Sequence, residues 1–296
     1  MTRASGAGLP AVAILCGRGD FPLLAARSAR SAGREVFLVG IRGIAGPEIA
    51  AFPHIWLGLG EIGAFLDALR QRAISRLAII GGMTRPAFTD LRIDFGGLRK
   101  VPELARLFLG GDNHLLAGVL GILEQEGLTI VGVQEIAPDL LAPSGTWSKA
   151  APDRQSQDDI ALALQYINAA SPYDVGQAVI VAGRRIVAVE AAEGTDAMIE
   201  RVAQLRSDGR LRLAGRTGLL VKAPKRGQDL RIDLPAIGPR TLELATLAGL
   251  AGIGLAAGQV LVLDRLQLAA QANAAGLFLL GFDPLRELGF DPLREH

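Results

Sequence analysis

The chain has 296 residues, enough for two domains of ordinary size, and half of them are apolar. Its 31 basic and 30 acidic residues give a formal net charge of +1, so no overall basic field indicates a nucleic-acid partner. The single cysteine, Cys16, excludes an intrachain disulfide, and the three scattered histidines lack the spacing of a zinc site.

The first half of the chain alternates strand and helix patterns. The apolar run 11–15 predicts a buried strand, residues 21–32 a helix, and residues 35–40 a second strand. Further strands are predicted at 77–80 and 129–133, and further helices at 61–73, 101–108 and 114–126. This order predicts a Rossmann-like α/β domain with a parallel sheet, in which ligands bind at the loops that follow the strands.

Two of these loops are rich in glycine. Gly17 and Gly19 lie between the first strand and the first helix, where backbone N–H groups can bind a phosphate. Pro22 occupies the third glycine position of the dinucleotide fingerprint, which argues against NAD or FAD. Gly82 and Arg85 follow a later strand, and Arg85 could hold a phosphate oxygen or a uracil carbonyl. Tight turns that bind no ligand are the alternative for both loops.

The second half has a different composition and predicts a separate mixed α/β domain. Residues 138–152 are rich in Pro, Ser, Gly and Thr and are the predicted linker, so the domains are expected at 1–150 and 151–283. Helices are predicted at 155–169, 196–205, 241–250 and 265–274, and strands at 177–182, 185–190, 219–221, 260–263 and 277–280. An octapeptide that begins at Leu280 is repeated at once, and residues 284–296 are interpreted as a tail.

One uncharged stretch, residues 244–263, is about as long as a membrane-spanning helix. It contains four glycines and ends in a strand-like run of Val and Leu. These features favour a buried helix, turn and strand over a membrane span.

A dense group of charged and polar side chains follows the apolar run 219–221. Its members are Lys222, Lys225, Gln228, Asp229, Arg231 and Asp233. Cations can hold a phosphate, and carboxylates can hold a divalent ion. If residues 229–233 form a strand, the two aspartates share one face and could coordinate Mg²⁺ together. The alternative is a charged surface loop with local ion pairs.

An acidic turn precedes the helix predicted at 196–205. Glu190 and Glu193 are close in sequence, and like charges cost free energy unless they share a cation or remain solvated. Thr195 or Asp196 is expected to cap the helix that follows. The turn is therefore a candidate for metal or substrate binding, with plain solvation as the alternative.

Several of these segments match a known family. They are residues 132–141, 176–179, 188–198 and 220–238, extended by 249–253 and 261–264. The chain resembles the LpxI-type UDP-2,3-diacylglucosamine pyrophosphatases of lipid A biosynthesis over nearly its whole length. Arg226 stands where proline is usual in that family.

The resemblance implies a Mg²⁺-dependent hydrolase that yields UMP and 2,3-diacylglucosamine 1-phosphate (lipid X) by attack of water on the α-phosphorus. It implies a nucleotide-binding first domain and a catalytic, lipid-binding second domain, and it places the functionally important aspartate at Asp229 in preference to Asp233. Together with the charge pattern, it predicts that Asp229 and Asp233 are catalytic and that Asp229 holds Mg²⁺ with Asp233 or Glu193. The expected substrate contacts are Gly17, Gly19, Gly82, Arg85, Thr195, Asp196, Lys222, Lys225, Gln228 and Arg231.

The same resemblance implies a cytoplasmic homodimer that touches the inner face of the inner membrane transiently and binds no nucleic acid. Two other functions stay open at this point. One is a sugar-nucleotide transferase that uses the same phosphate loops, and the other is a carrier that binds nucleotide or lipid without hydrolysis.

Overall fold

The computed structural model describes residues 9–82 and 112–287, without the side chains of residues 112–116. Arg85 and the helix predicted at 101–108 lie outside this part of the chain. The chain divides into two compact units, Met1–Ala137 and Pro138–His296. Each unit is built around a sheet of its own.

The first unit contains a five-stranded parallel sheet in the order β3-β2-β1-β4-β5. Its strands are β1 (Val12–Cys16), β2 (Val36–Ile41), β3 (His54–Leu57), β4 (Arg76–Ile80) and β5 (Thr129–Ile130). All six residues of β2 are buried, as expected for a strand covered on both faces. The strand order reverses direction between β1 and β4, which is where ligands bind in sheets of this type.

Three helices of the first unit were predicted, whereas strand β3 and the short helix at Val133–Ile136 were not, and β5 is shorter than the strand predicted at 129–133. They are α1 (Phe21–Ser31), α2 (Ile62–Arg70), α3 (Asp112–Gln125) and α4 (Val133–Ile136), with a 3₁₀ turn at Pro47–Ala51. Pro22 lies in the first turn of α1, where its missing N–H costs nothing. The parallel sheet with its crossover helices confirms the predicted fold class for this unit.

The second unit contains a six-stranded mixed sheet in the order β6-β13-β11-β9-β7-β8 and a two-stranded parallel pair, β10-β12. Its strands are β6 (Gly145–Thr146), β7 (Ala178–Ala182), β8 (Arg185–Val189), β9 (Leu219–Lys222), β10 (Ala236–Ile237), β11 (Gly252–Ala256), β12 (Leu261–Val262) and β13 (Phe278–Phe282). Its helices are α5 (Arg154–Ala170), α6 (Thr195–Ser207), α7 (Pro239–Leu247), α8 (Arg265–Ala275) and α9 (Pro284–Glu287), with 3₁₀ turns at Pro138–Leu140 and Ser171–Tyr173.

A single apolar cluster fills the second unit. Helix α5 packs on β7 and β9, and α6 packs against α7. Ile160, Met198, Leu219 and Leu279 are all buried in this cluster. The cluster holds the ends of β7, β8 and β9 in place, and those ends carry the candidate site described below.

The hairpin predicted around Gly183 is confirmed. β7 and β8 pair antiparallel, and both turn residues, Gly183 and Arg184, have a φ of 60°. Two left-handed residues in succession match the twist of the strands that they join. The carboxylate of buried Asp159 accepts hydrogen bonds from the N–H groups of Gly183 and Arg184, at 3.0 and 2.6 Å, and so fixes the turn to α5.

Strand β11 was not predicted, although it lies inside the sheet. The preceding helix, predicted at 241–250, ends earlier, because α7 ends at Leu247. Glycine is disfavoured in strands, but a Cβ at Gly252 would lie 2.5 Å from the ring of Phe278 on β13. The glycine is therefore needed for close packing between neighbouring strands, a contact that the local pattern does not contain.

Two further differences concern the segments around the site. Residues 229–233, considered above as a strand, form turns. Within the predicted linker, Gly145–Thr146 forms β6, which pairs antiparallel with β13. None of the helices in the described ranges is long and apolar enough to cross a membrane.

Candidate functional site

A pocket of about 510 Å³ opens in the second unit beside the ends of three strands of the mixed sheet. Strands β8 and β9 end at the pocket and β7 begins there, because β7 runs antiparallel to both neighbours. The pocket is lined by Tyr173, Asp174, Val175, Gly176, Gln177, Glu190, Ala191, Ala192, Lys222 and Lys225. It therefore joins the charged segment after β9 to the acidic turn after β8.

A chain of hydrogen bonds crosses the floor of this pocket. The ammonium group of Lys222 donates to Thr195 Oγ1 at 2.6 Å, and Thr195 Oγ1 donates to Glu190 Oε1. Glu190 Oε2 accepts from the backbone N–H of Gln177 at 2.7 Å. An ammonium group has no acceptor and a carboxylate has no donor, so the hydroxyl proton of Thr195 must point to Glu190.

Lys222 is 6% exposed and Glu190 is 8% exposed, so both charges lie inside the protein. Burial lowers the pKa of Lys222, and the carboxylates of Glu190 and Asp196 oppose that shift. Among the described residues Thr195 is the one hydrogen-bond partner of the Lys222 ammonium group. Its remaining N–H groups can therefore bind an anion, and at low dielectric such contacts are strong.

Gly176 allows the chain to pass very close to Glu190. The N–H of Gly176 donates to the backbone oxygen of Glu190 at 3.0 Å. A Cβ at this position would lie 2.6 Å from that same oxygen and would also overlap the Glu190 side chain. Only glycine allows this approach, which also positions the neighbouring N–H of Gln177 for the Glu190 carboxylate.

The prediction that Thr195 or Asp196 caps α6 was wrong. The N-cap is Gly194, and no side chain bonds to the end of the helix there. Thr195 is engaged by Lys222 and Glu190, and Asp196 Oδ1 accepts a hydrogen bond of 2.9 Å from the hydroxyl of Thr241. Either side chain could have bonded to the first N–H groups of the helix, but both form hydrogen bonds with residues distant in sequence.

The segment that follows β9 folds into a turn that is held by hydrogen bonds from the side chain of Gln228. Gln228 accepts a hydrogen bond from the N–H of Lys225 at 2.9 Å and donates one to the backbone oxygen of Asp233 at 2.7 Å. The ammonium group of Lys225 forms an ion pair with Asp174. Gln228 therefore holds the turn that places Lys225 at the pocket.

Asp229 and Arg231 pair with each other within this turn. Asp229 Oδ1 accepts from the backbone N–H of Arg231 at 3.0 Å, and Arg231 Nη2 lies 2.7 Å from Asp229 Oδ2. The hydrogen bond from the Arg231 side chain is the main reason why the pKa of Asp229 is lowered. Asp229 is thus ionised at neutral pH and partly open to solvent.

Asp233 differs from Asp229 in its environment. Burial raises the pKa of Asp233, whereas the charge of Lys225 and hydrogen bonds from the side chains of Gln177 and Gln228 lower it. Asp174 adds a second negative charge nearby and raises the pKa further. The two aspartates predicted to act together therefore have opposite pKa shifts.

The structure does not bring the three predicted metal ligands together. No cluster of three or more His, Cys, Asp or Glu side chains suited to a metal occurs in the described ranges. Glu193 Oε1 lies 2.8 Å from Arg201 Nη2, and Asp229 is paired with Arg231. These side chains do not form an all-protein metal cage, although Mg²⁺ is commonly held by one or two carboxylates together with substrate phosphates.

In the first unit the two glycine loops pack directly on each other where β1 and β4 end. Arg18 and Gly82 exchange two backbone hydrogen bonds, of 2.8 and 3.0 Å. The N–H of Gly17 donates to Ile80, and a Cβ at Gly17 would lie 2.7 Å from the backbone of Gly81. The N–H groups of Gly17 and Arg18 are thus used within the protein, so the tight turn by itself accounts for Gly17. A Cβ at Gly19 would meet nothing within 4 Å, so that side of the loop is open.

Comparison with known proteins agrees with this two-unit organisation. The model of the LpxI N-terminal domain matches residues 11–140, and the model of the LpxI C-terminal domain matches residues 143–280. The chain belongs to the LpxI family. It is 39% identical over 271 residues to a Caulobacter vibrioides protein named UDP-2,3-diacylglucosamine pyrophosphatase LpxI, covering 92% of this chain and 97% of that protein. The resemblance stated from the sequence is therefore confirmed.

Within this LpxI-family chain, the pocket contains residues that sequence reasoning had not assigned to the site. Gly176, Gln177 and Glu190 lie in segments that carry the family resemblance, and the turn after Glu190 is a predicted metal or substrate site, but none of the three is a predicted site residue. No sequence pattern indicated Tyr173 or Asp174, which reach the pocket through the 3₁₀ turn at the end of α5. Lys222 and Lys225 were predicted as substrate contacts, and both line the pocket.

Proposed function

We propose that this protein hydrolyses UDP-2,3-diacylglucosamine to UMP and 2,3-diacylglucosamine 1-phosphate (lipid X). The supporting observation is a pocket in the C-terminal unit where buried Lys222 offers N–H groups to an anion beside Lys225. The Caulobacter vibrioides relative, which is matched along nearly its full length, is named for this activity.

In the proposed reaction, water attacks the α-phosphorus and the bond from that phosphorus to the bridging oxygen breaks. The water oxygen becomes a phosphate oxygen of UMP, and the bridging oxygen leaves with the sugar 1-phosphate. Lys222 and Lys225 bind the pyrophosphate oxygens and stabilise the charge that develops on them. Water has little access to Lys222, so this electrostatic stabilisation is not lost to solvent screening.

Asp229 and Asp233 are the carboxylates that we propose to hold Mg²⁺ together with phosphate oxygens of the substrate. When bound, the ion neutralises pyrophosphate charge and lowers the pKa of a bound water. Asp229 is ionised and partly exposed, which suits it to this role. Glu193 is the weakest of the three predicted ligands, because Arg201 already holds it.

The remaining predicted substrate contacts differ in what the structure shows of them. Gln228 braces the turn, and Thr195 and Asp196 are bonded within the protein, so we assign these three residues to positioning. Arg231 is paired with Asp229 and stays a predicted phosphate contact. Gly17, Gly19, Gly82 and Arg85 stay predicted contacts for the uridine nucleotide. A homodimer, a cytoplasmic location and transient contact with the inner membrane are part of the same proposal.

The proposed reaction is tested with UDP-2,3-diacylglucosamine in ¹⁸O-labelled water, with and without a Mg²⁺ chelator. We expect one ¹⁸O atom in UMP, none in the lipid product, and loss of turnover with the chelator. Label in the sugar phosphate would overturn attack at the α-phosphorus, and full activity with the chelator would overturn the Mg²⁺ assignment. Binding without release of UMP under every metal condition would indicate a carrier.

The same assay tests the assignment of Asp229. The Asp229→Ala variant is expected to lose about 100-fold or more in kcat, the size of effect seen when a group that stabilises the transition state is removed. Asp158→Ala is the matched control, since Asp158 is also an exposed aspartate paired with an arginine in this unit. Near-normal turnover of Asp229→Ala with Mg²⁺ present would remove Asp229 from the mechanism.

A further inference from the structure

The acidic side chain that is linked through Thr195 to the buried lysine of the pocket has no role in the reaction proposed above. Glu190 follows β8, is 8% exposed, and has both carboxylate oxygens occupied by hydrogen bonds from within the protein. Both oxygens thus serve contacts within the protein, to the Thr195 hydroxyl group and to the N–H of Gln177, and these contacts fix the orientation of the carboxylate. Its effect on the site must therefore pass through the residues that it touches.

Thr195 links Glu190 to Lys222. The hydroxyl group of Thr195 has one proton, and that proton is donated to Glu190. The oxygen lone pairs of Thr195 therefore face the Lys222 ammonium group, which donates to them at 2.6 Å. If Glu190 were uncharged or absent, Thr195 could rotate its proton toward another acceptor, and Lys222 would lose this fixed partner.

The charged groups around Lys222 come from several elements. Glu190 follows β8 and Asp196 lies on α6, and both are close enough to favour the charged form of Lys222. Lys225 and Asp174 line the same pocket and are paired with each other. Asp196 also accepts a hydrogen bond from Thr241, whereas Glu190 is the carboxylate joined to Lys222 through a single hydroxyl group.

We propose that Glu190 is a positioning residue that acts through Thr195 to keep the ammonium group of Lys222 charged and fixed at the pocket wall, ready for a phosphate oxygen. This inference rests on the proposed function, because pyrophosphate is the anion that Lys222 would bind. Burial favours the neutral amine of Lys222, and a neutral amine would bind a phosphate weakly. Glu190 offsets that effect without occupying the place of the substrate.

The decisive measurement is the titration of Lys222 in the full-length protein. Competitive acetylation with acetic anhydride across a range of pH, followed by peptide mass spectrometry, reports the fraction of neutral amine at this lysine. We expect the midpoint for Lys222 to move to lower pH in Glu190→Gln, and the alkaline limb of kcat/KM for UMP release to move with it. At neutral pH the KM for UDP-2,3-diacylglucosamine should rise about tenfold, the effect of losing a net hydrogen bond to a charged group.

Substitutions of Thr195 test the hydrogen-bond link between Glu190 and Lys222. They also test the inference if Glu190→Gln does not fold. Thr195→Val should also lower the Lys222 midpoint, whereas Thr195→Ser retains the hydroxyl group and should restore the wild-type value. Glu200→Gln is the control, since Glu200 lies on the same helix and pairs with Arg240 at the surface. A midpoint that stays at the wild-type value in both Glu190→Gln and Thr195→Val would overturn the inference, even if both variants lose activity.

These outcomes separate the inference from the proposed function. If the wild-type protein releases UMP but the Lys222 midpoint does not respond to Glu190 or Thr195, the inference fails and the function stands. If no UMP is released but the midpoint still shifts in both variants, the network operates at a site whose reaction is a different one.

Discussion

At the scale of single residues, the site depends on how charges are paired inside the protein. Asp229 and Asp233 are four positions apart, yet the pKa of one is lowered by Arg231 and that of the other is raised by burial. A sequence pattern treats them as equivalent carboxylates. Arg231 stabilises the negative charge of Asp229, whereas burial makes the negative charge of Asp233 unfavourable for the folded state.

The raised pKa of Asp233 makes a prediction about stability and pH. Because the folded state holds the proton more tightly than the unfolded chain, whose value is near 3.8, the free energy of unfolding falls as pH rises from 3.8 through the folded pKa. Asp233→Asn removes this cost and still accepts hydrogen bonds. We expect the variant to have a higher Tm than the wild type at pH 7, with a difference that shrinks as pH falls toward 3.8.

Thermal unfolding of both proteins over that pH range, monitored by circular dichroism without Mg²⁺, checks the prediction. In a separate assay with Mg²⁺ present, the activity of Asp233→Asn should fall if Asp233 serves the reaction. A Tm at pH 7 equal to or below that of the wild type would show that burial of Asp233 does not cost stability.

At the scale of elements, the pocket exists because the ends of three strands meet. β7 begins where β8 and β9 end, and Gly176 lets the chain that enters β7 lie directly against Glu190. The charged turn after β9 then approaches from the other side through the pair of Lys225 and Asp174. The geometry of the site is thus set by the register of the sheet.

Gly176→Ala is expected to disturb the site through this contact. The new methyl group would overlap the backbone oxygen of Glu190, so the strands must shift, at a cost of about 1–3 kcal/mol in the free energy of unfolding. Loss of the fixed Glu190 carboxylate should lower activity as well. Urea unfolding and the UMP-release assay measure the two effects.

Gly121→Ala is the matched control, because Gly121 lies within α3 and a Cβ there meets nothing within 4 Å. That change should stabilise the protein by about 0.5–1 kcal/mol, since alanine favours a helix more than glycine does. Equal stability changes in the two variants would show that the contact between Gly176 and Glu190 is unimportant.

At the scale of the whole molecule, the near balance of charge bears on the proposed visit to a membrane. The formal net charge is +1, and none of the helices in the described part of the chain can span a bilayer. Each basic residue near an anionic surface contributes about 1 kcal/mol, so a nearly neutral protein gains little from bulk attraction. Under the proposed function, contact with a membrane would then come from recognition of the lipid substrate.

We therefore expect the protein to co-sediment with anionic vesicles that contain UDP-2,3-diacylglucosamine but not with the same vesicles without it. The measurement includes a Mg²⁺ chelator, which under the proposed mechanism stops hydrolysis. Equal binding to both kinds of vesicle would indicate a general basic or apolar surface in place of substrate recognition.

The sequence by itself determined the fold class and the family. Continuous apolar runs and glycine turns are local signals, so the parallel sheet and the hairpin around Gly183 were predictable from short windows. The long charged segment 220–238 was specific enough to indicate the LpxI family, and it contains Lys222 and Lys225, which line the candidate pocket.

Only the tertiary structure decided which polar groups meet. Thr195 could have capped its helix, but it bonds to Lys222 and Glu190, and Asp229 pairs with Arg231. Strand register brought Glu190 and Lys222 to the same end of the sheet. Strand β11 formed despite its glycines because Gly252 packs against Phe278. Such choices depend on contacts between segments far apart in sequence, which no local pattern contains.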